Sequence, residues 1–112
     1  MEQVRPWGTY EILSSGSGYQ IKKLVILQNQ KISLQYHKQR SEHWIVIAGR
    51  GQAICGNRNI SIKPGSHIFV GKNTVHRLEN NKSGDLVIIE VQMGNYLEEG
   101  DIVRLQDEYG RI

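Results

Sequence analysis

The sequence lacks most of the features that mark a special class of protein. It has one cysteine, Cys55, so an intrachain disulfide framework is excluded, and we expect this thiol to pack as a small apolar side chain. No apolar run approaches the roughly 20 residues of a membrane helix. The opening residues, MEQVRPWGTYEI, lack the apolar core of a signal peptide. We therefore expect a cytoplasmic protein that does not bind a membrane.

The basic residues are not concentrated in any part of the chain. The net charge is +3, and the 14 Lys and Arg residues are spread along the sequence. Nucleic-acid-binding proteins usually cluster their basic residues and interleave aromatic ones, so we expect no nucleic-acid partner. The small positive excess suits a small anionic substrate better than a polyanion.

Short apolar runs bounded by glycine and asparagine predict an all-β fold. With 112 residues, of which 38% are hydrophobic, the chain can bury one core, and we expect residues 1–112 to form a single domain. Many short strands between Gly and Asn turns are typical of a β-sandwich or barrel. The predicted strands are residues 8–13, 19–27, 33–37, 43–48, 52–55, 59–62, 67–70, 75–80 and 86–93. Helical character is limited to one turn near residues 98–102.

Two of the predicted strands are apolar on both faces. Residues 44–48 and 86–89 contain no polar side chain that would mark a solvent-facing side. Strands of this kind are usually buried on both sides. Because a barrel has only one interior, the second face needs another cover. We expect a homodimer to supply it, although the chain's own terminal segments could also do so.

The segment SLQYHKQRSE, residues 33–42, carries candidate metal ligands. Side chains two residues apart on a strand share a face, so Gln35 and His37 point the same way. Glu42 opens the next strand after a four-residue turn and can face the same space, and His76 lies on a later strand. Two imidazoles, a carboxylate and an amide oxygen form a mixed set that suits Zn, Mn, Fe, Co or Ni.

The spacing of these residues resembles the two sequence motifs of the cupin superfamily. The matching residues are Gln35, His37, Glu42 and Gly49 in the first motif and Gly65, His76 and Asn80 in the second. Gln35 replaces the first histidine of the family pattern, and Gly71 and Asn73 replace the Pro and Gly of a tight turn, which both residues tolerate. The resemblance implies a single-domain cupin, that is, a double-stranded β-helix or jelly-roll barrel. It also implies one divalent metal ion on Gln35, His37, Glu42 and His76.

A Gln-x-His pair at this place resembles the phosphomannose isomerases of the cupin superfamily. The matching segments are RPWG (5–8), SLQYH (33–37), EHWIV (42–46), VHRLEN (75–80), IEVQ (89–92), DIVR (101–104) and YGR (109–111). Together they are similar to the isomerase domain that ends the bifunctional mannose-6-phosphate isomerase/mannose-1-phosphate guanylyltransferases. This resemblance implies metal-dependent interconversion of mannose 6-phosphate and fructose 6-phosphate, a small phosphorylated sugar as the partner, and Zn as the first choice of metal.

Such a reaction needs a base and a phosphate-binding group. Glu90 and Gln92 share one face of an apolar strand, so Glu90 would have a raised pKa if buried and is the candidate base; a structural carboxylate paired with Arg or Lys is the alternative. Gln92 is a candidate substrate ligand beside it. The resemblance of the C-terminal segment to that of the family makes Arg104 the first candidate for a catalytic-site residue that binds the phosphate group of the substrate. Lys22 and Arg111 are further candidates, and each of these cations could instead be a solvated surface charge.

Three aromatic or imidazole side chains are expected to stay outside the chemistry. His43 alternates away from Glu42, and His67 lies outside both motifs, so neither is expected to bind the metal. Trp7 could shelter the sugar, but we expect it to close one end of the barrel.

Three functions remain open at this point. The first is an isomerase acting on a phosphorylated hexose. The second is a non-catalytic cupin that binds a sugar or sugar phosphate. The third is a non-haem iron dioxygenase; metal cupins of that kind mostly carry three histidines and one glutamate, and Gln35 argues against it. The fold alone cannot decide between them, because one fold supports many activities.

Overall fold

The computed structural model describes residues 2–111, and strands dominate it. No helix in this range is long and apolar enough to span a membrane. A short 3-10 turn at Glu99–Asp101 separates the last two strands. The strands are β1 (Glu2–Arg5), β2 (Gly8–Gly16), β3 (Tyr19–Ile26), β4 (Leu34–Tyr36), β5 (Arg40–Ala48), β6 (Gly51–Cys55), β7 (Arg58–Ile62), β8 (His67–Val70), β9 (His76–Glu79), β10 (Leu86–Gly94) and β11 (Val103–Gln106).

The strands form two antiparallel sheets with a shared interior. One sheet has the order β1-β2-β3-β10-β5-β8, and the other has the order β11-β4-β9-β6-β7. Neighbours in a sheet are often far apart along the chain; β10, for example, lies between β3 and β5. As a result, the predicted ligand segments approach the interior from both sides, with β5 and β10 in one sheet and β4 and β9 in the other.

The interior is apolar at one end and polar at the other. On β10 the inward residues are Leu86 and Ile88, followed by Glu90 and Gln92, and all four are buried. On β5 the same change occurs in the opposite chain direction, from buried Val46 back to buried Glu42. Because the two strands are antiparallel, with Gln92 opposite Glu42, their polar halves coincide. The apolar half forms the hydrophobic core, and the polar half lines the candidate site.

Three turn residues of the cupin-like motifs, Gly49, Gly65 and Asn73, have a positive φ. Gly49 has φ 83°, and a Cβ there would lie 2.2 Å from the carbonyl oxygen of Asp85, so only glycine fits. Asn73 has φ 62°, a conformation that asparagine tolerates better than most residues. The replacement of the motif's glycine by Asn73 is therefore compatible with the turn.

The predicted all-β fold is confirmed, and the differences lie at the edges. The sequence patterns did not predict β1 or β11, two short edge strands without clear alternation. Strand β5 begins at Arg40 rather than His43, and β2 continues to Gly16 because its last residues pair with Tyr19 and its neighbours in a hairpin. The 3-10 turn lies where one helical turn was expected.

The outer face of β5, β8 and β10 is mostly apolar, as the two-sided strands indicated, and it also carries the imidazoles of His43 and His67. Ile47 and Phe69 are 53% and 55% exposed, and Val87, Ile89 and Val91 are half-buried beside them. The outward residues of these three strands include no Lys, Arg, Asp or Glu. The described terminal strands lie at sheet edges and leave this face uncovered. A second copy suits it, because two such faces can pack as stacked sheets without bringing like charges together.

We predict that a homodimer forms through this face and that Ile47→Lys dissociates it, since the lysine charge would lose its hydration at the interface. Light scattering at tens of micromolar protein should give the dimer mass for the wild type and the monomer mass for the variant. Leu105→Lys is the matched control, because Leu105 is 46% exposed on β11 in the other sheet. A monomeric wild-type protein would contradict the prediction.

Candidate metal centre and active site

The polar half of the interior is an open cavity between the two sheets. Strands β3, β5 and β10 form one wall, and β4 and β11 form the other. Residues before β2 and the 3-10 turn border the same cavity. Its lining includes Arg5, Trp7, Tyr10, Lys22, Gln35, Arg40, Glu42, Glu90, Gln92, Glu99, Arg104 and Arg111.

Three of the four predicted metal ligands meet beside this cavity. His37, Glu42 and His76 are all buried, and their candidate ligand atoms lie within 4.8 Å of one another. The Nε2 atom of His37 is 3.5 Å from Oε2 of Glu42, and the Nε2 atom of His76 is 3.6 Å from Oε1 of the same carboxylate. This cluster of two imidazoles and a carboxylate could hold a metal ion.

Backbone carbonyl groups fix the orientation of both imidazoles. The Nδ1 atom of His37 donates to the carbonyl oxygen of Asp101 at 3.2 Å, and that of His76 donates to the carbonyl oxygen of Thr74 at 2.8 Å. A proton on Nδ1 leaves the Nε2 lone pair of a neutral ring free. Burial lowers the pKa of His37 to about 3 and also lowers the pKa of His76, so both rings are neutral at physiological pH. Both rings therefore present Nε2 to the centre of the cluster, where Nε2 of His37 also accepts a hydrogen bond of 3.4 Å from Nη2 of Arg40.

Hydrogen bonds also orient the carboxylate of Glu42. Arg40 donates from Nε to Oε2 at 3.0 Å, and Gln92 donates from Nε2 to the same oxygen at 3.2 Å. These contacts hold Oε2 and leave Oε1 directed toward His76. Partners behind the ligands commonly set ligand orientation in this way in metal sites.

The donor set fits a divalent ion. The Nε2 atom of His76 is buried and has no hydrogen-bond partner among the described residues. A buried nitrogen without a partner is costly, and a metal ion would remove that cost. Ligand atoms around an ion such as Zn lie about 2.0–2.2 Å from it, so modest side-chain shifts would bring the three residues into range.

Gln35, the fourth predicted ligand, lies next to this cluster. It is opposite His76 in the pairing of β4 and β9, and its side chain lines the cavity. Its Oε1 atom accepts a hydrogen bond from the hydroxyl group of Ser33 at 2.7 Å. A second lone pair on that oxygen remains available for a metal ion.

Glu90, the predicted base, is 6% exposed beside the cluster. Its two oxygens accept hydrogen bonds from Nε1 of Trp44 at 3.0 Å and from Nε2 of Gln92 at 2.9 Å. Burial raises the pKa of Glu90 to about 7, and the negative charge of Glu42 adds to the effect. The Oε1 atom of Gln92 is buried without a partner among the described residues, so it could accept a hydrogen bond from a ligand.

The cations predicted to bind phosphate all border the cavity, but their surroundings differ. The Nε atom of Arg104 is buried and has no hydrogen-bond partner among the described residues. The ammonium group of Lys22 lies 4.6 Å from the centroid of the Tyr10 ring. Arg111, in contrast, is held by Asp107 through two side-chain hydrogen bonds of 2.9 and 2.8 Å. Arg104 and Lys22 are therefore better placed than Arg111 to meet an anion.

The remaining aromatic and imidazole residues lie as follows. Trp7 belongs to the hydrophobic core and also borders the cavity. His43 lies on the outer side of β5, where its Nδ1 atom is 3.0 Å from Nε2 of His67. Neither imidazole belongs to the candidate metal cluster.

Sequence reasoning missed two residues that organise the site, Arg40 and Asp101. Arg40 could have been found, because it shares the inward face of β5 with Glu42, two residues away. Asp101 is 5% exposed, and its carboxylate accepts hydrogen bonds from the backbone amides of Lys38 and Gln39 at 3.0 and 2.9 Å. These contacts hold the turn after His37. No local sequence pattern predicts them.

Comparison with known proteins gives a family match over nearly the whole chain. The family model described as mannose-6-phosphate isomerase C-terminal matches residues 1–107. The alginate biosynthesis protein AlgA of Pseudomonas aeruginosa is 41% identical over 110 residues, which cover 98% of this chain and 23% of that protein. The mannose-1-phosphate guanylyltransferase ManC of Salmonella typhimurium is 37% identical over 111 residues, covering 99% and 23%. The chain thus spans about a quarter of the length of these relatives.

Solved structures share the fold at low sequence identity. KdgF from a Halomonas species has a TM-score of 0.79 at 13% identity, covering 86% of this chain and 89% of that one. A cupin-2 domain protein from Rhodospirillum rubrum has a TM-score of 0.71 at 18% identity, covering 83% and 67%. These similarities confirm the predicted cupin jelly-roll fold.

The raised pKa of Glu90 predicts a specific pH dependence of stability in metal-free protein. The folded state holds this proton up to about pH 7, whereas the unfolded carboxyl group titrates near 4.5. The contribution of this protonated carboxyl group to the free energy of unfolding is therefore fully present below pH 4.5. It is lost as the pH rises through about 7, and the loss is on the order of 3 kcal/mol. Compared with the wild type, Glu90→Gln should gain that much stability between pH 5 and 8. Urea unfolding in the presence of a chelator measures this difference in stability at each pH. If the wild type and Glu90→Gln have parallel pH profiles, the pKa of Glu90 is not raised and the prediction is wrong.

Proposed function

Because the chain belongs to the mannose-6-phosphate isomerase C-terminal family, we propose that it interconverts mannose 6-phosphate and fructose 6-phosphate with one bound divalent metal ion. Zn is our first choice of ion, since two neutral imidazoles and a carboxylate suit it. The observation that carries the proposal is the placement of three kinds of group in or directly beside one cavity. These are the cluster of His37, Glu42 and His76, the buried carboxyl group of Glu90, and the unpaired guanidinium nitrogen of Arg104.

The metal ion would be held by His37, Glu42 and His76, with Gln35 as the fourth ligand. When bound, the ion would supply Lewis-acid polarisation of the sugar oxygens and help to orient them. The chain itself prepares this centre. The carbonyl groups of Asp101 and Thr74 keep both imidazoles in the binding tautomer.

Glu90 would move the proton between C1 and C2 of the open-chain sugar. This isomerisation passes through an enediol: one base takes the proton from one carbon and returns it to the other, while a proton also moves from the O2 hydroxyl group to O1. The hydrogen bonds from Trp44 and Gln92 fix the position of the carboxylate. A pKa of about 7 allows Glu90 to accept and release a proton near neutral pH. The partnerless amide oxygen of Gln92 would accept a hydrogen bond from a sugar hydroxyl group.

Arg104 and Lys22 would bind the phosphate of the substrate. Arg40 and Arg111, which line the same cavity, are already paired with Glu42 and Asp107. Arg104 keeps an unsatisfied nitrogen at the cavity, and a phosphate oxygen is a strong acceptor for it. Holding the phosphate at a fixed point would place C1 and C2 against Glu90 and exclude non-productive orientations.

A non-catalytic sugar-phosphate-binding module is the second candidate function. One observation favours it: both oxygens of Glu90 already accept hydrogen bonds from the protein, which also suits a purely structural carboxylate. Such a module would bind the same ligand at the same metal and cations but would not remove the C2 proton.

We predict that the metal-loaded protein exchanges the C2 proton of mannose 6-phosphate with deuterated solvent as it forms fructose 6-phosphate. His76→Ala should reduce metal content and abolish the exchange, because the variant loses a buried ligand. His43→Ala is the control and should keep the wild-type metal content, since His43 lies on β5 in the other sheet and does not belong to the cluster. NMR for exchange and elemental analysis for metal content measure both effects. If the metal-loaded protein binds the sugar phosphate but shows no exchange over hours, the binding-module function replaces the isomerase.

Arg104→Ala should chiefly raise KM, because phosphate binding contributes to the ground state and transition state alike. A charge-assisted hydrogen bond is worth about 2–3 kcal/mol, so kcat/KM should fall roughly 30- to 150-fold. Arg50→Ala, at an exposed turn, removes the same charge elsewhere and should leave kcat/KM within about twofold. Steady-state kinetics with both variants would show Arg104 to be a surface charge if the two behave alike.

A further inference from the structure

The cavity carries more positive than negative side chains, and their pairing is uneven. Its cations are Arg5, Lys22, Arg40, Arg104 and Arg111, and its carboxylates are Glu42, Glu90 and Glu99. Arg40 is held by buried Glu42, and Arg111 is held by Asp107. Three cations, Arg5, Lys22 and Arg104, are not held by these carboxylates. Among the described lining residues, Glu99 forms an ion pair with Arg5 at the mouth of the cavity.

Glu99 occupies a place that suits a phosphate group. Its Oε1 atom accepts a hydrogen bond of 2.9 Å from the guanidinium group of Arg5. This hydrogen bond lowers the pKa of Glu99, and the charges of Lys22 and Arg104 lower it further. All three cations line the same cavity as Glu99 and favour its ionised form, and Arg5 contacts it directly.

Tyr10 keeps two of these cations close together. Its hydroxyl group accepts a hydrogen bond of 3.1 Å from Arg5, whose guanidinium carbon is 4.9 Å from the centroid of the ring. The ammonium group of Lys22 is 4.6 Å from the same centroid. Arg5 also donates to the carbonyl oxygen of Val4 at 2.9 Å, so its position does not depend on Glu99 alone.

The side chain of Glu99 can move away from Arg5 without disturbing the 3-10 turn to which Glu99 belongs. It is 55% exposed, compared with 29% for Arg5. Two residues further on, Asp101 is 5% exposed and anchors the turn through hydrogen bonds to the backbone of Lys38 and Gln39. An exposed ion pair of this kind is weak, and a phosphate dianion carries more charge and more acceptor oxygens than a carboxylate.

We propose that Glu99 is a built-in occupant of the phosphate site, and that a phosphorylated ligand displaces it from Arg5, which then joins Lys22 and Arg104 around the phosphate. The inference rests on the proposed function for the identity of the natural ligand. The competition between Glu99 and a phosphate for Arg5 needs no turnover. It makes Arg5 a substrate ligand and Glu99 a residue that lowers affinity for every anion at this site.

Removing the carboxylate should therefore tighten anion binding. With the metal-loaded full chain, Glu99→Gln should lower the Kd for inorganic phosphate and for mannose 6-phosphate by roughly 3- to 10-fold, as expected for an exposed pair plus repulsion of the dianion. Affinity for unphosphorylated mannose should not change. Arg5→Gln should raise the Kd for both phosphates at least about tenfold. In the Arg5→Gln background the gain from Glu99→Gln should shrink, which a double-mutant cycle measures.

Glu108→Gln is the matched control. Glu108 is also in an exposed ion pair, with Lys31 at 3.5 Å, and its side chain is 52% exposed. The substitution makes the same change in net charge at a different place, so it should alter the Kd for phosphate by less than about twofold. Calorimetric titration of each variant supplies all of these constants.

The outcomes separate this inference from the proposed isomerase. If Glu99→Gln weakens phosphate binding, Glu99 positions Arg5 rather than competing for it, and the inference is wrong. An effect no larger than that of Glu108→Gln also overturns it. If phosphate binding tightens as expected but no C2 proton exchange is found, the inference stands and the isomerase function fails. If C2 proton exchange is found but Glu99→Gln does not tighten phosphate binding, the isomerase function stands and the inference about Glu99 fails.

Discussion

A buried carboxylate, that of Glu42, sets the chemistry of the interior. It is 1% exposed, and an isolated charge at such a place would be strongly destabilising. Arg40 supplies the opposite charge and Gln92 supplies a further hydrogen bond, and both act on Oε2. The other oxygen faces the imidazole of His76, whose Nε2 atom lacks a partner among the described residues. The carboxylate is thus compensated on one side and left available for a cation on the other.

Gln92 also forms a hydrogen bond with the second buried carboxyl group, that of Glu90. This amide donates to both carboxylates, at 3.2 Å to Glu42 and at 2.9 Å to Glu90, and so holds two negative groups close together. Burial and the neighbouring charge of Glu42 raise the pKa of Glu90 to about 7. This raised pKa would let Glu90 serve as a proton carrier beside Glu42, whose carboxylate would serve as a metal ligand. The added positive charge of a bound metal ion would favour the ionised form of Glu90.

Much of the fold and part of the site could be predicted because they depend on local periodicity. The two-residue repeat of a strand and the length of one turn are sufficient to relate Gln35, His37 and Glu42, and the structure brings His37 and Glu42 together with His76. Contacts between distant segments could not be predicted in this way. Arg5 and Glu99 are 94 residues apart, and the Asp101 carboxylate meets the amide of Lys38 across 63 residues. No spacing rule links such pairs, since only the packing of both sheets places the 3-10 turn over the cavity.

Register explains why one pair of strands can serve two surfaces. On β5, Glu42 and Trp44 point inward, whereas His43 and Ile45 point outward, and the neighbouring strand β10 repeats this alternation in matching register. A slip of one residue would exchange the faces, burying His43 and exposing the charge of Glu42. Such a slip is opposed at the end of β5, where Gly49 passes so close to Asp85 that no side chain fits. The register shift between Val87 and Ile88 lies at the same end of this strand pair, so both local constraints on the alignment lie away from the cavity.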